Sequence, residues 1–124
     1  IDKWNNLFDL PLEMYADDYS TGMRKKLGFM GQMLLDRPIL LLDEPFNGVD
    51  LEGNLQLHEI IKQIKPNKII LISSHILPGL MDLSDRILLL EEGLFHKEYR
   101  PEEYESLQDL VRGDFSKQVQ DALK

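Results

Sequence analysis

Two short apolar runs, each closed by polar residues, constrain the fold of this chain more than any other feature. The run at 39–42 is followed at once by Asp43 and Glu44, and the run at 69–72 leads through two serines to His75. Runs this short and uniformly apolar are typical of buried strands in a parallel sheet. Loops at the carboxyl ends of parallel strands converge on one sheet edge, so we expect these three polar residues to lie together.

The other patterns complete an α/β order. Apolar residues recur at helical spacing in segments 4–8, 23–34 and 57–64, which predicts a helix in each. Within the second helix, the predicted apolar stripe consists of Met23, Leu27, Met30 and Leu34. A third apolar run at 87–90 continues the alternation and predicts a parallel βαβαβ series.

The C-terminal part of the chain predicts a hairpin and an appendage. The turn sequence Glu91-Glu92-Gly93 indicates a returning strand at 94–99. Pro101 suits the first turn of a helix, and Asp114 is placed to cap a second helix that runs to Lys124. We therefore expect two terminal helices outside the sheet.

Composition bounds the class of protein. The 124 residues carry 43% hydrophobic residues and a net charge of -8, which suits one domain or part of one and argues against binding nucleic acid through a broad basic face. Cysteine is absent from the sequence, which favours a reducing compartment. Most of the short basic run 24–26 is expected to lie on a solvated helix face.

The order and spacing of four motifs resemble those of the nucleotide-binding subunit of ABC transporters. Segment 19–23, Tyr-Ser-Thr-Gly-Met, is similar to the signature motif of that family, and 39–45 is similar to its Walker B strand with a catalytic glutamate. Segment 47–50 resembles the D-loop, and His75 resembles the switch histidine. The resemblance covers residues 9–99, and four motifs in the family's order make it specific.

The resemblance implies a role for each of these residues. Glu44 would act as general base on the attacking water, and His75 would bond the γ-phosphate of ATP. Asp43 would hold Mg²⁺ through its water shell. The residues implied in contacts with ATP on a partner subunit, or at the subunit interface, are Ser20, Thr21, Gly22, Met23 and Asp50. Ser20 and Asp50 are also placed to cap helices, and either could be only a cap.

The family also implies an architecture and partners. The fold would be α/β, a partial P-loop NTPase-type parallel sheet flanked by helices. Residues 1–37 would form part of the helical signature subdomain, 38–100 the C-terminal part of the ATPase core, and 101–124 a helical tail. The expected partners are a second ATPase subunit and transmembrane permease subunits, with the protein in the cytoplasm at the inner face of the membrane.

Two positions depart from the commonest signature motif. Thr21 stands where that motif has glycine, and Met23 stands where it has glutamine. The form found here resembles that of exporter-like members. Ser20 and Gly22 persist, so the departures do not exclude activity.

A phosphate-binding loop is missing from the sequence. None of the eight glycines is followed by lysine, so the pattern Gly-x-x-x-x-Gly-Lys-Ser/Thr does not occur. We therefore predict that this chain alone neither binds ATP tightly nor hydrolyses it. The chain does not start with methionine and begins within a helical pattern, so we expect it to be part of a longer protein that does both.

Two alternatives stay open. One is the C-terminal lobe of an SMC-type DNA-maintenance ATPase, which also carries signature, Walker B and D-loop motifs. The acidic charge and the lack of a sustained heptad pattern before Ser20 place it below the transporter. The other is a non-catalytic interaction domain with the same fold, for which Asp43, Glu44 and His75 would not be required.

Overall fold

A computed structural model describes residues 2–124. The α-helices are α1 (Asp2–Phe8), α2 (Thr21–Leu35), α3 (Leu51–Ile64), α4 (Leu77–Leu83) and α5 (Tyr104–Ala122). The strands are β1 (Ile39–Asp43), β2 (Ile69–Ser73), β3 (Ile87–Glu91) and β4 (Leu94–Tyr99). Short 3-10 turns occupy Ala16–Asp18, Lys65–Asn67 and Pro101–Glu103. The predicted α/β class is confirmed.

The chain divides into two compact units, residues 1–75 and 76–124. In the first unit, β1 and β2 pair in parallel with Ile39 opposite Ile69 and Asp43 opposite Ser73. The helix α3 connects them, as a parallel crossover requires. This pairing brings the carboxyl ends of both strands to one edge, as the apolar runs predict.

The predicted burial of β1 holds on one face only. Leu40 and Leu42 are buried, whereas side chains on the opposite face of the β1–β2 sheet are exposed. The exposed members are Ile39, Leu41, Ile69 and Leu71. The expectation of strands buried on both faces is therefore wrong for the described residues, because the aliphatic side chains of the second face are exposed.

The helix α2 also differs from its predicted stripe. Phe29, Met30 and Met33 are buried, whereas Leu34 is exposed. Phe29 packs edge-on against Phe8 of α1, with ring centroids 6.3 Å apart. The buried face of α2 is therefore centred on Phe29 and Met33, about one residue before the predicted stripe.

The second unit contains the predicted hairpin. In it β3 pairs with β4 in antiparallel fashion, across a turn in which Glu92 and Gly93 both have positive φ. The strands β3 and β4 form a sheet separate from β1 and β2, so the predicted parallel βαβαβ series is wrong at its third strand. The two-residue turn lets β3 form its backbone hydrogen bonds with the next strand in sequence, at little cost in loop entropy.

The C-terminal segment has one α-helix rather than two. Pro101–Glu103 forms a 3-10 turn, and α5 then runs without a break past Asp114. Tyr104 and Leu107 are buried, and the Tyr104 hydroxyl donates to the Ser84 carbonyl at 2.9 Å. The predicted cap at Asp114 is wrong because the helix begins ten residues earlier, where these two side chains fix it.

Candidate functional site

The edge formed by β1 and β2 gathers polar groups from both strands. The Asp43 carboxylate accepts a hydrogen bond from the Ser73 hydroxyl, its register partner. The Glu44 N–H donates to both the carbonyl and the hydroxyl oxygen of Ser73, each at 3.1 Å. Ser73 therefore fixes both acidic residues where the strand ends.

Glu44 and His75 form a direct pair. Glu44 Oε1 accepts the His75 backbone N–H at 3.1 Å and lies 2.8 Å from its Nδ1. The Glu44 side chain is 30% exposed and the His75 side chain 68%. The carboxylate is thus held by two contacts while the imidazole is open to solvent.

The N-terminus of α2 packs closely on the loop that leads from β1 to α3. Ser20 caps the helix by accepting the Met23 N–H at 3.2 Å, as predicted. A Cβ atom at Gly22 would lie 2.6 Å from the Gly48 carbonyl oxygen, and one at Gly48 would lie 3.2 Å from Thr21 Cγ2. The backbones of the predicted signature and D-loop segments meet here.

Asp50 links this loop to α2. Its carboxylate caps α3 by accepting the Gly53 N–H at 3.2 Å, and it lies 3.1 Å from the Lys26 ammonium. The hydrogen bond from Lys26 lowers the pKa of Asp50. Lys26 is only 14% exposed, because the Cα–H groups of Gly53 leave room for its stem.

The expectation that most of run 24–26 is a solvated helix face holds for Arg24, which is exposed, and is wrong for Lys25 and Lys26, which are half-buried. Arg24 donates to the Asp17 carbonyl at 2.5 Å, Lys25 donates to the Glu44 carbonyl, and Lys26 pairs with Asp50. Sequence reasoning also gave no role to Ser73. Ser73 directly follows the second apolar run just as Asp43 directly follows the first, and this shared position could have indicated that the two residues pair.

No cluster of three or more metal-ligating side chains of His, Cys, Asp or Glu occurs in the described part of the chain. Asp43 and the Ser73 hydroxyl nevertheless offer oxygen donors at one point. Mg²⁺ sites that include a phosphate take one or two carboxylates together with water. The donor chemistry at Asp43 therefore fits Mg²⁺ in the presence of a phosphate ligand.

We expect Gly22→Ala and Gly28→Ala, two changes in one helix, to have opposite effects on stability. The first places a methyl group against the Gly48 backbone and should destabilise the chain by about 1–3 kcal/mol. A Cβ at Gly28 meets nothing within 4 Å, so the second should stabilise it by about 0.5–1 kcal/mol. Urea unfolding of both variants checks this, and equal effects would contradict the close approach at Gly22.

The Asp50 carboxylate should contribute stability that depends on pH. Since its pKa is lowered on folding, its contribution is complete above the unfolded value of about 4 and is lost as pH falls through the folded value. Asp50→Asn should therefore destabilise the chain at neutral pH, with the difference closing as pH falls through the folded-state pKa of Asp50. Urea unfolding across this range measures it, and Lys26→Met should weaken the pH dependence of the difference, leaving the part that comes from the Gly53 N–H.

Proteins whose sequences are similar to this chain include transport ATP-binding proteins. The lantibiotic transport ATP-binding protein SrtF of Streptococcus pyogenes is 40% identical over 84 residues, which are 65% of this chain and 37% of that protein. An ABC transporter ATP-binding protein of Methanocaldococcus jannaschii is 33% identical over 96 residues, 75% of this chain and 37% of that protein. The chain is thus similar to ABC transporter ATP-binding proteins over most of its own length. It spans well under half the length of these ABC relatives.

Solved structures of ATPases also superpose on this chain. The ATP-binding subunit of an ABC transporter superposes with a TM-score of 0.72 at 26% identity, over 92% of this chain and 46% of that one. A dimeric ATP-binding cassette bound to ADP and Pi superposes with a TM-score of 0.70 over 80% of this chain and 44% of that one. At 16% identity, this similarity shows the fold alone. An SMC ATPase superposes with a TM-score of 0.58 at 14% identity, over 78% of this chain and 64% of that one. No family model matches the chain.

The structure brings Asp43, Glu44 and His75 together at the sheet edge. It places the segment 20–23 beside the loop that ends at Asp50. In residues 2–124, no helix has the length and apolar character to cross a membrane.

Proposed function

We propose that this chain is the C-terminal part of an ABC transporter ATPase subunit, which couples ATP binding and hydrolysis to substrate movement through a membrane permease. The observation that carries the proposal is the Glu44–His75 pair at the end of β1 and β2, at 2.8 Å. It occurs in a chain related to ABC transporter ATP-binding proteins. A pure binding module does not require this pair.

The pair suits activation of water beside a phosphate. Glu44 is held by His75 but partly open, so its carboxylate can accept a proton from water as general base. A His75 ring that donates from Nδ1 to Glu44 can donate from Nε2 to a phosphate oxygen only as imidazolium. The ring would therefore bring a positive charge to the phosphate while it orients Glu44.

Asp43 and Ser73 would hold Mg²⁺ together with nucleotide oxygens and water. The bound metal ion supplies charge neutralisation at the phosphates. Asp43 contributes a carboxylate that the Ser73 hydroxyl orients. Asp43 thus has a role separate from that of the base.

The segment Ser20, Thr21, Gly22 and Met23 would contact ATP bound to a second ATPase subunit. It lies at the N-terminus of α2, where free N–H groups and the helix dipole favour an anion. Asp50 would lie at the interface of the two subunits. One structural neighbour is a dimer bound to ADP and Pi, which supports such an assembly. The permease would place the ATPase at the cytoplasmic face of the membrane.

An SMC-type ATPase is the second candidate, supported by the fold similarity to an SMC structure. That similarity is weaker than the one to ABC transporter subunits, and a net charge of -8 disfavours contact with DNA. The two candidates differ in what stimulates ATP turnover. A permease in lipid should stimulate the transporter subunit, whereas DNA should stimulate an SMC ATPase.

The test compares this chain with the longer protein proposed to contain it. The longer protein should bind a non-hydrolysable ATP analogue and hydrolyse ATP, and this chain should do neither, because it lacks a phosphate loop. Turnover is then measured with DNA and with the permease in lipid vesicles. Stimulation by DNA alone would overturn the transporter assignment, and a longer protein that fails to bind ATP would favour the non-catalytic alternative.

A further inference from the structure

The backbone of Glu44 adopts a conformation that few non-glycine residues adopt. Its φ is +44°, in the left-handed region, and it precedes a proline, which restricts it further. Such a conformation is strained and persists only where the surroundings fix it. The contacts that fix Glu44 therefore matter for where its carboxylate lies.

Three groups hold Glu44 from three sides. Ser73 accepts its N–H, and His75 binds its carboxylate. The third group is the Lys25 ammonium, which donates to the Glu44 carbonyl. Ser73 is the last residue of β2 and His75 lies two positions after it, whereas Lys25 comes from α2, the helix whose N-terminus carries the signature segment.

We propose that Lys25 is a positioning residue for Glu44, one that ties the backbone of the proposed base to the signature helix. The inference rests on the proposed function and adds a residue to it. Lys25 lies five positions after Ser20, so one rigid helix joins the segment that would meet the partner's ATP to the carbonyl of the base. Closure of the two subunits on ATP would thereby set the Glu44 backbone.

The next residue of α2, Lys26, also binds the loop that follows β1. Lys26 pairs with Asp50 at 3.1 Å, so consecutive lysines hold the two ends of the loop 44–50 against α2. The middle of this loop is anchored separately on α3, where Phe46 stacks on His58 with ring centroids 4.1 Å apart. The loss of Lys25 should therefore release Glu44 without unfolding the loop.

The experiment uses the longer protein and its ATP turnover. Lys25→Met should lower kcat by roughly 10- to 100-fold, as expected for loss of a charged hydrogen bond that positions a reacting group. KM for ATP should stay within about twofold, since Lys25 does not touch the proposed nucleotide contacts. Lys25→Arg keeps a cationic donor and should restore most of kcat. Lys117→Met, on the exposed face of α5, is the matched control.

A second measurement separates positioning from general damage. Amide exchange at Glu44 should accelerate in Lys25→Met but not in Lys117→Met, while thermal unfolding of the two variants stays similar. Lys25→Gln serves if the methionine variant does not fold. An unchanged kcat, a loss in KM alone, or an arginine variant no better than methionine would overturn the inference.

The two proposals fail differently. If Glu44→Gln keeps full turnover, Glu44 is not the base and the proposed function loses its mechanism. If Glu44→Gln abolishes turnover and Lys25→Met behaves like Lys117→Met, only the role of Lys25 is rejected. In the Glu44→Gln background, Lys25→Met should have no further effect on turnover.

Discussion

Glu44→Gln should reduce ATP turnover of the longer protein by about 10²- to 10⁴-fold, the contribution typical of a positioned general base. Glutamine keeps the shape of the side chain and an oxygen that can accept the His75 backbone N–H, which Glu44 Oε1 accepts at 3.1 Å. It cannot take a proton from water. ATP binding should therefore survive while hydrolysis does not.

The measurement pairs steady-state turnover with binding of a labelled ATP analogue. Glu105→Gln removes a carboxylate from an exposed position on α5 and should leave both quantities unchanged. Full turnover in Glu44→Gln would mean that the base lies elsewhere. Loss of analogue binding in the same variant would mean that Glu44 acts on the ground state rather than on the reacting water.

Leu57→Ala should destabilise the chain by about 2–5 kcal/mol, the cost of removing a large side chain from a closed core. Leu57 is 1% exposed and lies one turn after Gly53 on α3, the helix that Asp50 caps. The cavity would therefore open on the buried face of α3. Urea unfolding followed by circular dichroism measures the change.

Leu55→Ala is the control for the same helix and the same substitution. Leu55 is 63% exposed, so its loss should change the free energy of unfolding by no more than about 0.5 kcal/mol. If the two variants lost similar stability, the face of α3 that carries Leu57 would not be the buried one.

The local features of the fold were predictable because short-range chemistry decides them. Ser20 and Asp50 both cap helices as expected, since a cap depends on a side chain and an N–H three residues away. The parallel pairing of β1 with β2 followed from two apolar runs joined by a helix. The gathering of Asp43, Glu44 and His75 followed from that pairing.

The features that were not predictable depend on long-range packing. Lys25 and Lys26 bond to groups 19 and 24 positions along the chain, and long flexible side chains carry no sequence pattern for such targets. Asp114 has a cap residue's chemistry, but α5 passes through it. The left-handed backbone of Glu44 likewise arises from contacts with β2 and α2 and not from its own residue type.

The uncovered side of the β1–β2 sheet has a consequence for every stability measured on this chain. Four aliphatic side chains at 39, 41, 69 and 71 face water there, and burial of each contributes up to about 1.5–3 kcal/mol. A segment or partner that covers them would stabilise the folded chain and not the unfolded one. The melting temperature of the chain by itself is therefore a lower limit for the melting temperature of the same fold with this face of the sheet covered.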